Sequence, residues 1–207
     1  MGLREEKKER LRREILDTAI DLFRERGYDA TRVQDIIDRV RISEATFFNY
    51  YPTKDALLDA FAVDSVEAYR HLLHGALQTH ERPVPDRLRD LLRVMALGFS
   101  TDREFMAVVA TRSKLFFGAE GPILEQELLT YGLLAQLFRE GQERSEIRAD
   151  IHPPQLAELF TGTYMLTILN WVVGWWEDSE PLEARLQRAA DVFLDGCRPR
   201  EDAGGGS

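Results

Sequence analysis

A chain of 207 residues, 44% hydrophobic and 30% charged, can bury the core of one large domain, or of one small and one medium domain. Its formal net charge is −9, and its single cysteine, Cys197, excludes an intramolecular disulfide and fits a reducing compartment, where a buried, idle thiol is expected. Arg, Lys and Glu dominate residues 2–14 and no apolar run reaches the roughly 18 residues of a membrane span, so we expect no leader, no membrane segment and a cytoplasmic protein.

The first predicted helix packs through one apolar face and ends at Gly27. The face consists of residues that recur at helical spacing: Leu11, Ile15, Ala19, Leu22 and Phe23. Gly27 stands where a C-cap glycine is usual. Ahead of this face, residues 1–14 hold six basic and four acidic groups, a net charge of +2. This segment is either a modest basic arm for DNA or the solvated start of a helix, and both interpretations stay open.

The second predicted helix covers residues 32–40. Thr31 and Gln34 have the spacing of a capping box at its start. A buried face is predicted from apolar residues at i, i+3, i+4 and i+7: Val33, Ile36, Ile37 and Val40. The segment is therefore a short amphipathic helix that leads into a tight turn.

The third predicted helix follows the turn directly, which makes the pair a helix-turn-helix. Ser43 is the candidate N-cap, and Phe47 and Tyr51 share the inward face of a helix that Pro52 stops. The outward face carries small and amide side chains: Ala45, Thr46 and Asn49. Such a face suits the floor of a DNA major groove, where an amide can pair in two-pronged fashion with adenine.

Three stretches of this region carry a family resemblance over residues 15–58. They read ILDTAIDLFRERGY, then T-x-V-x-D-I, then I-S-x-x-T-F-F-x-Y-Y-x-x-K-x-x-L. In this order and spacing they resemble the TetR/AcrR family of transcriptional repressors. The resemblance implies an all-α fold of about nine helices, with an N-terminal three-helix helix-turn-helix DNA-binding domain at residues 1–53 and a C-terminal helical ligand-binding and dimerisation domain at residues 54–197. Residues 198–207 are polar and glycine-rich, so a disordered tail is expected.

The pattern and the resemblance together predict a DNA-contacting surface. Tyr50 and Lys54 are a hydroxyl donor and a cation at the end where a helix-turn-helix meets phosphates. The full predicted set is Thr31, Gln34, Ser43, Glu44, Ala45, Thr46, Phe48, Asn49, Tyr50 and Lys54.

The predicted DNA-binding domain departs from the family pattern at four positions. Arg41 stands where the family usually has glycine, and a non-glycine residue in a left-handed conformation costs about 1 kcal/mol. Ile37 and Val40 stand where alanines are common, which affects the spacing of the second and third helices. Phe48 stands where a tyrosine is frequent, so an apolar contact, such as one to a thymine methyl, replaces a hydroxyl contact.

Apolar periodicity without any alternating, strand-like run predicts six further helices. Thr53 is expected to cap the fourth, and residues 79–85, THERPVP, form the first linker. The predicted ranges are 54–77 for helix four, 88–99 for helix five, 105–118 for helix six, 121–144 for helix seven, 153–177 for helix eight, and from Ser179 and Pro181 onward for helix nine.

Helix eight is apolar on nearly every side and therefore needs cover on every side. One chain covers one side, and a second copy can cover the other. The resemblance implies a dimer built as a four-helix bundle of helices eight and nine from each subunit. The predicted interface is Leu156, Phe160, Tyr164, Ile168, Trp175, Leu186 and Phe193. The alternative is that these aromatics fill an oversized core within one chain.

A ligand pocket is expected among helices four to eight, which are rich in aromatic residues and methionine. The candidate lining is Phe61, Met95, Phe99, Phe105, Met106, Arg112, Phe116, Tyr131, Thr163, Thr167, Asn170 and Trp171. Ordinary core packing is the alternative for each residue singly, and Arg112 is either a ligand anchor or a surface group. Glu67, His71 and His74 share a helical face, but exposed histidines need no metal, so we expect no metal site and no cofactor.

The charge distribution agrees with a DNA-binding head on an acidic body. Residues 1–55 hold 12 basic and 12 acidic groups, so the whole net charge of −9 lies in the remainder. An acidic body repels DNA from every surface except the head.

The predicted function is a homodimeric repressor that binds a palindromic operator and is released by a small apolar or amphipathic effector. An enzyme is disfavoured because the chain has no Gly-rich phosphate loop, no nucleophile in a strand-turn-helix setting and no clustered carboxylate pair. The remaining alternative is a helical ligand-binding or interaction dimer that has lost specific DNA binding.

Overall fold

The computed structural model describes residues 2–113, 121–175 and 180–199, and in these ranges the chain forms nine helices and no strand. The helices are α1 (Leu3–Arg26), α2 (Val33–Val40), α3 (Glu44–Tyr50), α4 (Asp55–Gln78), α5 (Val84–Ser100), α6 (Arg103–Arg112), α7 (Gly121–Glu143), α8 (Pro153–Val173) and α9 (Leu182–Gly196). The all-α fold with an N-terminal helix-turn-helix and a helical C-terminal part is confirmed.

Local side-chain chemistry sets several of the helix ends. The N–H of Gly27, which has φ 87°, donates to the carbonyl of Phe23 and ends α1. The hydroxyl of Ser43 accepts from the N–H of Thr46 at 3.1 Å and begins α3. The hydroxyl of Thr53 accepts from the N–H of Ala56 at 3.1 Å in the first turn of α4. All three roles agree with the sequence-based prediction.

The cap of α2 differs from the predicted one by a single residue. The Asp35 carboxylate accepts from the N–H of Arg32 at 2.7 Å, so the reciprocal bond belongs to Arg32 and Asp35 rather than to Thr31 and Gln34. The hydroxyl of Thr31 is buried and donates to the Gly27 carbonyl at 2.9 Å. Carbonyls at the end of a helix have no N–H partner within the helix, and Thr31 supplies the missing donor.

Three predicted boundaries in the body are wrong. α5 begins at Val84, because a proline is tolerated in a first turn and Glu146 accepts from the N–H of Val84 at 2.7 Å. α6 ends at Arg112, with Ser113 in extended conformation. α8 ends at Val173, because Gly174 takes the left-handed conformation with φ 74° and ψ 35°. The predictions for residues 115–118, for residues 176–179 and for the tail from residue 200 lie outside the described residues.

We call α1–α3 the head and α4–α9 the body. The head closes around Phe47 and Ile36, both fully buried, with Ile15 and Phe23 of α1. In the body α4 packs on α7, and α8 packs on α7 and α9. Phe138, Phe160 and Phe193 from these last three helices meet with ring centroids 5.2–5.9 Å apart.

Salt bridges connect α1 to the body. Arg13 of α1 pairs with Asp64 of α4, and Arg24 of α1 lies 3.7 Å from the carboxylate of Asp102, which also caps α6 through a 3.0 Å bond to the N–H of Phe105. The long helix α4 follows the head directly and also packs on α1, so it joins the head to the body.

Within the described residues, α8 is the one helix long and apolar enough to cross a membrane. Length and composition alone are weak evidence, since a core helix of a soluble protein passes the same test. One face of α8 is core: Leu156, Phe160 and Val172 are buried against the rest of the body.

Candidate functional site

The outer surface of α3 is exposed while its inner face is fixed by Phe47. Phe47 is completely buried, and its ring makes an edge contact with Phe48 at 5.3 Å. Glu44, Ala45, Phe48 and Asn49 are exposed, and Thr46 and Tyr50 are half-buried. The arrangement can present small, amide and aromatic groups to the edges of DNA bases. The DNA contacts of these residues stay predictions.

Two other residues predicted to contact DNA occupy the rim of this surface. Gln34 is exposed on α2 and donates to the carboxylate of Asp38 at 2.7 Å. The hydroxyls of Ser43 and Thr46 bond to each other at 2.7 Å, so Ser43 serves the helix cap first. Thr31 is corrected: its side chain is 1% exposed and bonded to the end of α1, which leaves no hydroxyl for DNA.

Arg41 occupies the left-handed conformation that its family position requires. Its φ is 61° and its ψ 48°, and its N–H donates to the Ile37 carbonyl at 2.9 Å. The structure therefore retains the turn geometry at the strain of about 1 kcal/mol that a non-glycine residue carries there. The side chain is exposed directly before α3. Ile37, the second departure, is simply buried against the head core.

Lys54 has a structural role that the sequence did not reveal. Its ammonium group donates to the carbonyls of Tyr28 and Thr31 at 2.7 and 2.9 Å, and it lies 3.9 Å from the centroid of the Tyr28 ring. Burial lowers the pKa of Lys54 from its ordinary value. Two of its three N–H groups are therefore committed to holding the turn between α1 and α2, and one remains for a phosphate.

The body contains an apolar cavity of about 440 Å³, which lies in the range typical of small-molecule sites. α4, α5, α6, α7 and α8 all contribute to it. The residues that line it are Phe61, Ser65, Val66, Ala68, Tyr69, Leu72, Val94, Met95, Gly98, Phe99, Met106, Thr130, Tyr131, Thr161, Tyr164, Met165 and Ile168. None of these side chains is charged.

The cavity takes in five of the predicted pocket residues and leaves out six. Phe61, Met95, Phe99, Met106 and Tyr131 line it. Phe105 lies one layer behind, with its ring 5.2 Å from that of Phe61. Phe116 lies outside the described residues.

The other corrections follow from helix orientation. The hydroxyls of Thr163 and Thr167 bond to backbone carbonyls one turn earlier in α8, at 2.8 and 2.7 Å. Asn170 is not part of the lining, and the indole N–H of Trp171 donates to the Glu180 carbonyl at 3.2 Å. The side chains of Thr163, Thr167 and Trp171 are thus engaged outside the cavity.

Arg112 lies at the junction of head and body instead of in the cavity. Its guanidinium pairs with Asp29 at 3.1 Å and lies 5.1 Å from the centroid of the Tyr28 ring. Tyr28 also donates to the carboxylate of Asp55 at the start of α4. Burial, followed by the interaction with Asp55, raises the pKa of Tyr28 far above its ordinary value. The C-terminal end of α6 therefore contacts the turn that Lys54 also holds.

Sequence reasoning missed a set of polar lining residues. Tyr69 and Ser65 lie on the same face of α4 as Phe61, at spacings of eight and four residues, and this periodicity could have indicated them. Thr161, Tyr164 and Ile168 share a face of α8 in the same way. Two of these three had been predicted as interface residues.

The predicted dimer interface lies mostly inside the chain. Leu156, Phe160 and Leu186 are core residues, and the Phe193 ring packs on Phe160 and on Phe138 of α7. Trp175 is exposed.

One exposed apolar surface of the body lies on α8, on the side turned away from the core. It carries Leu159, Leu166 and Val173, which are exposed and separated by seven residues each, with Gly162 and Leu169 between them. We call these five residues the α8 seam. Beside the seam, a groove between α8 and α9 is lined by Thr163, Arg185, Arg188, Ala189, Val192 and Phe193.

A three-helix head with an exposed third helix, joined to a helical body with an apolar cavity, defines a helix-turn-helix transcriptional regulator. The comparisons agree. Residues 15–61 match the family model described as bacterial regulatory proteins, tetR family. An HTH-type transcriptional repressor of Mycobacterium tuberculosis is 30% identical over 149 residues, covering 66% of this chain and 79% of the relative. The regulator LuxR of Vibrio harveyi is 26% identical over 192 residues, covering 89% and 87%.

The chain belongs to the TetR family of transcriptional regulators, which are not enzymes. Solved structures share its fold. FadR of Thermus thermophilus in complex with lauroyl-CoA has a TM-score of 0.72 at 24% identity, covering 95% of this chain and 100% of that one. FadR of Bacillus subtilis in complex with stearoyl-CoA has a TM-score of 0.69 at 16% identity, covering 89% and 98%.

Proposed function

We propose that this protein is a cytoplasmic homodimeric repressor whose two heads bind a palindromic operator and whose cavity holds an effector that releases the DNA. In this proposal the DNA-binding domain ends near residue 53 and the ligand-binding and dimerisation domain begins with α4. The observation that carries the proposal is the exposed outer face of α3, held by the buried Phe47 on a closed three-helix head.

The DNA half of the proposal separates reading from anchoring. Asn49 is exposed on α3 and carries the amide that pairs with adenine. Arg41 is the exposed cation next to α3, while Lys54 is largely occupied by the head itself. Asn49 therefore reads sequence, and Arg41 binds phosphate.

We expect Asn49→Ala to reduce the preference for operator over scrambled duplex, with a loss of about 1 to 3 kcal/mol on the operator alone. Arg41→Gly should weaken binding to both duplexes alike and reduce the slope of log affinity against log salt by about one unit. The measurement is a fluorescence anisotropy titration of both duplexes across a salt series.

Arg41→Gly supplies its own folding control. Glycine accepts the left-handed conformation freely, so the variant loses the charge while its melting temperature stays equal or rises. Equal losses on operator and scrambled duplex for both variants would contradict the division of labour. The absence of any duplex preference in the unmutated protein would favour the alternative of an interaction dimer without specific DNA binding.

The dimer half rests on the α8 seam. The spacing between successive seam residues alternates between three and four. This average period of 3.5 residues is the one by which two helices pack along a common seam. Val192 of α9 is 71% exposed beside it. Two copies related by a two-fold axis would cover both surfaces and would present the heads to major grooves about 34 Å, or a multiple of it, apart.

The effector half rests on the cavity, whose apolar lining and volume suit a small hydrophobic molecule. The two FadR structures hold acyl-CoA thioesters. An acyl chain would suit the lining of this cavity, whereas none of the described lining side chains carries a charge to meet the phosphates of coenzyme A. We therefore propose an effector whose apolar part is an alkyl chain or a group of similar size.

The connection from cavity to head is α6. Met106 of α6 lines the cavity, and the neighbouring Phe105 contacts the lining residue Phe61. The guanidinium of Arg24 in α1 lies 5.2 Å from the centroid of the Phe105 ring. At the other end of α6, Arg112 is paired with Asp29. An effector that displaces Met106 would shift α6 and with it both contacts to the head, by an amount limited by its differential affinity for the two states.

We expect Arg112→Gln to weaken this coupling while the unliganded protein still binds the operator. Operator affinity is measured with and without saturating apolar compounds of 8 to 14 carbons, neutral and charged. In the unmutated protein the most effective compound should lower operator affinity by roughly 5- to 150-fold, and in Arg112→Gln by several-fold less. Thr111→Val, one residue earlier on α6 and exposed, is the control and should retain the full response. A full response in Arg112→Gln would exclude this contact as the route.

A further inference from the structure

Two hydroxyl groups in the cavity are buried with no hydrogen bond of good geometry, although the Tyr69 hydroxyl interacts with its neighbour Tyr164. The Tyr69 hydroxyl belongs to a side chain that is 8% exposed, and the Thr161 hydroxyl to one that is 5% exposed. Tyr69 comes from α4 and Thr161 from α8, and both line the same cavity. By contrast, the lining hydroxyls of Ser65 and Thr130 each donate to a backbone carbonyl of their own helix at 2.8 Å.

An unsatisfied buried hydroxyl is unfavourable for the fold. Most buried polar groups in proteins have a partner, and a buried group without one loses its hydrogen bonds to water and gains nothing in exchange. Thr161 is notable here because a threonine within a helix commonly bonds to the carbonyl one turn earlier, as Thr163 does on the same helix. A ligand that supplies the missing partners would be bound more tightly for this reason.

The surroundings of the two hydroxyls decide the charge of such a ligand. The described residues that line the cavity include no Lys, Arg, His, Asp or Glu. A carboxylate or an ammonium group placed there would be desolvated without a counter-charge, which is far more costly than burying a neutral oxygen. Burial, together with the neighbouring Tyr164, raises the pKa of Tyr69 well above its ordinary value, so its hydroxyl stays a proton donor.

We propose that the effector is an uncharged, mostly apolar molecule with a ketone, ester or alcohol oxygen. This oxygen accepts a hydrogen bond from the Tyr69 hydroxyl and forms a second hydrogen bond with the Thr161 hydroxyl. This inference rests on the proposed function in one respect, that the cavity is the effector site. It adds the class of the ligand and the two residues that recognise it.

The test uses the full chain and four probes with one alkyl length: 2-dodecanone, 1-dodecanol, dodecanoate and dodecyltrimethylammonium. Binding is measured by isothermal titration calorimetry at pH 8, below the micelle concentrations, with the 8- and 10-carbon members of each class to cover the size of the cavity. We expect the ketone and the alcohol to bind at least about tenfold more tightly than either ion.

Two variants assign the polar contact. Tyr69→Phe and Thr161→Val each remove a hydroxyl and keep the shape of the side chain, and each should weaken ketone binding by about three- to tenfold. Their unliganded melting temperatures should stay equal or rise, because each removes an unsatisfied group. Tyr51→Phe is the matched control: its hydroxyl donates to the Arg12 carbonyl at 3.1 Å, so this variant should melt lower and bind the ketone unchanged.

Every outcome separates the possibilities. Dodecanoate or the ammonium compound binding as tightly as the ketone, or no binding by any probe, would overturn the neutral class. Unchanged ketone affinity in both hydroxyl variants, or a lower melting temperature in Tyr69→Phe, would overturn the assigned contact. If the ketone binds through Tyr69 but leaves operator affinity unchanged, this inference stands and the proposed effector function fails.

Discussion

Leu166→Glu is expected to turn the proposed dimer into a monomer and to weaken operator binding by roughly 100-fold or more, because a lone head would meet only half of the proposed palindrome. Leu166 is 54% exposed at the centre of the α8 seam, with Leu159 and Val173 seven residues to either side. In the proposed dimer Leu166 lies at the middle of the seam, so the substitution would bury a carboxylate from each copy without a counter-charge. Sedimentation velocity at micromolar concentration measures the assembly, and fluorescence anisotropy measures operator binding.

Leu97→Glu is the matched control for this substitution. Leu97 is 61% exposed on α5 and is not one of the five seam residues, so its replacement makes the same chemical change at an exposed leucine outside the α8 seam. We expect this variant to remain dimeric and to bind the operator normally. A Leu166→Glu protein that sediments as a dimer would refute the seam, and a monomer with undiminished operator affinity would refute the need for two heads.

The features of the head that were predicted correctly depend on near neighbours in the chain. The Ser43 cap and the inward position of Phe47 each follow from residues within one helical turn, whereas the left-handed turn at Arg41 was implied by the family resemblance. The predicted capping box of α2 was wrong because local spacing alone does not identify the capping pair. Thr31 and Gln34 have the same spacing as Arg32 and Asp35, and the choice between the two pairs is made by the end of α1, where the Gly27 carbonyl binds the hydroxyl of Thr31.

The features that failed depend on which distant helix a face meets. Composition predicted that α8 is apolar on all sides, but it could not tell that Phe160 faces α7 and that Leu166 does not. Arg112 illustrates the same limit, since its partner Asp29 is 83 residues away and lies on the other side of the head–body junction. Five pocket residues were found because aromatic residues and methionines are concentrated in this part of the body, whereas Tyr69 and Thr161 become apparent only when α4 and α8 are placed face to face.

The second large effect concerns a buried ion pair between α5 and α7. The guanidinium of Arg87 is 2% exposed and donates to both carboxylate oxygens of Glu140, at 2.6 and 3.1 Å, and to the Ala76 carbonyl at 2.9 Å. Glu140→Ala would leave this buried cation with a single acceptor, and an arginine does not relieve the charge by losing its proton. We expect a loss of roughly 3 to 5 kcal/mol in the free energy of unfolding and a melting temperature lower by roughly 6 to 20 °C.

The same pair predicts how stability depends on pH. The hydrogen bonds from Arg87 lower the pKa of Glu140 below its ordinary value of 4.5. A carboxyl group whose folded pKa is lowered stabilises the protein above its unfolded pKa and loses this contribution as the pH falls through the folded value. The difference in stability between the unmutated protein and Glu140→Gln should therefore be constant above about pH 5 and shrink below about pH 4.5. Glu143 is exposed three residues further along α7, and Glu143→Ala is the control. Its free energy of unfolding should equal that of the unmutated protein at every pH. Chemical denaturation at one fixed protein concentration measures all four proteins, and a difference that persists undiminished to pH 3 would show that packing rather than charge holds α5 to α7.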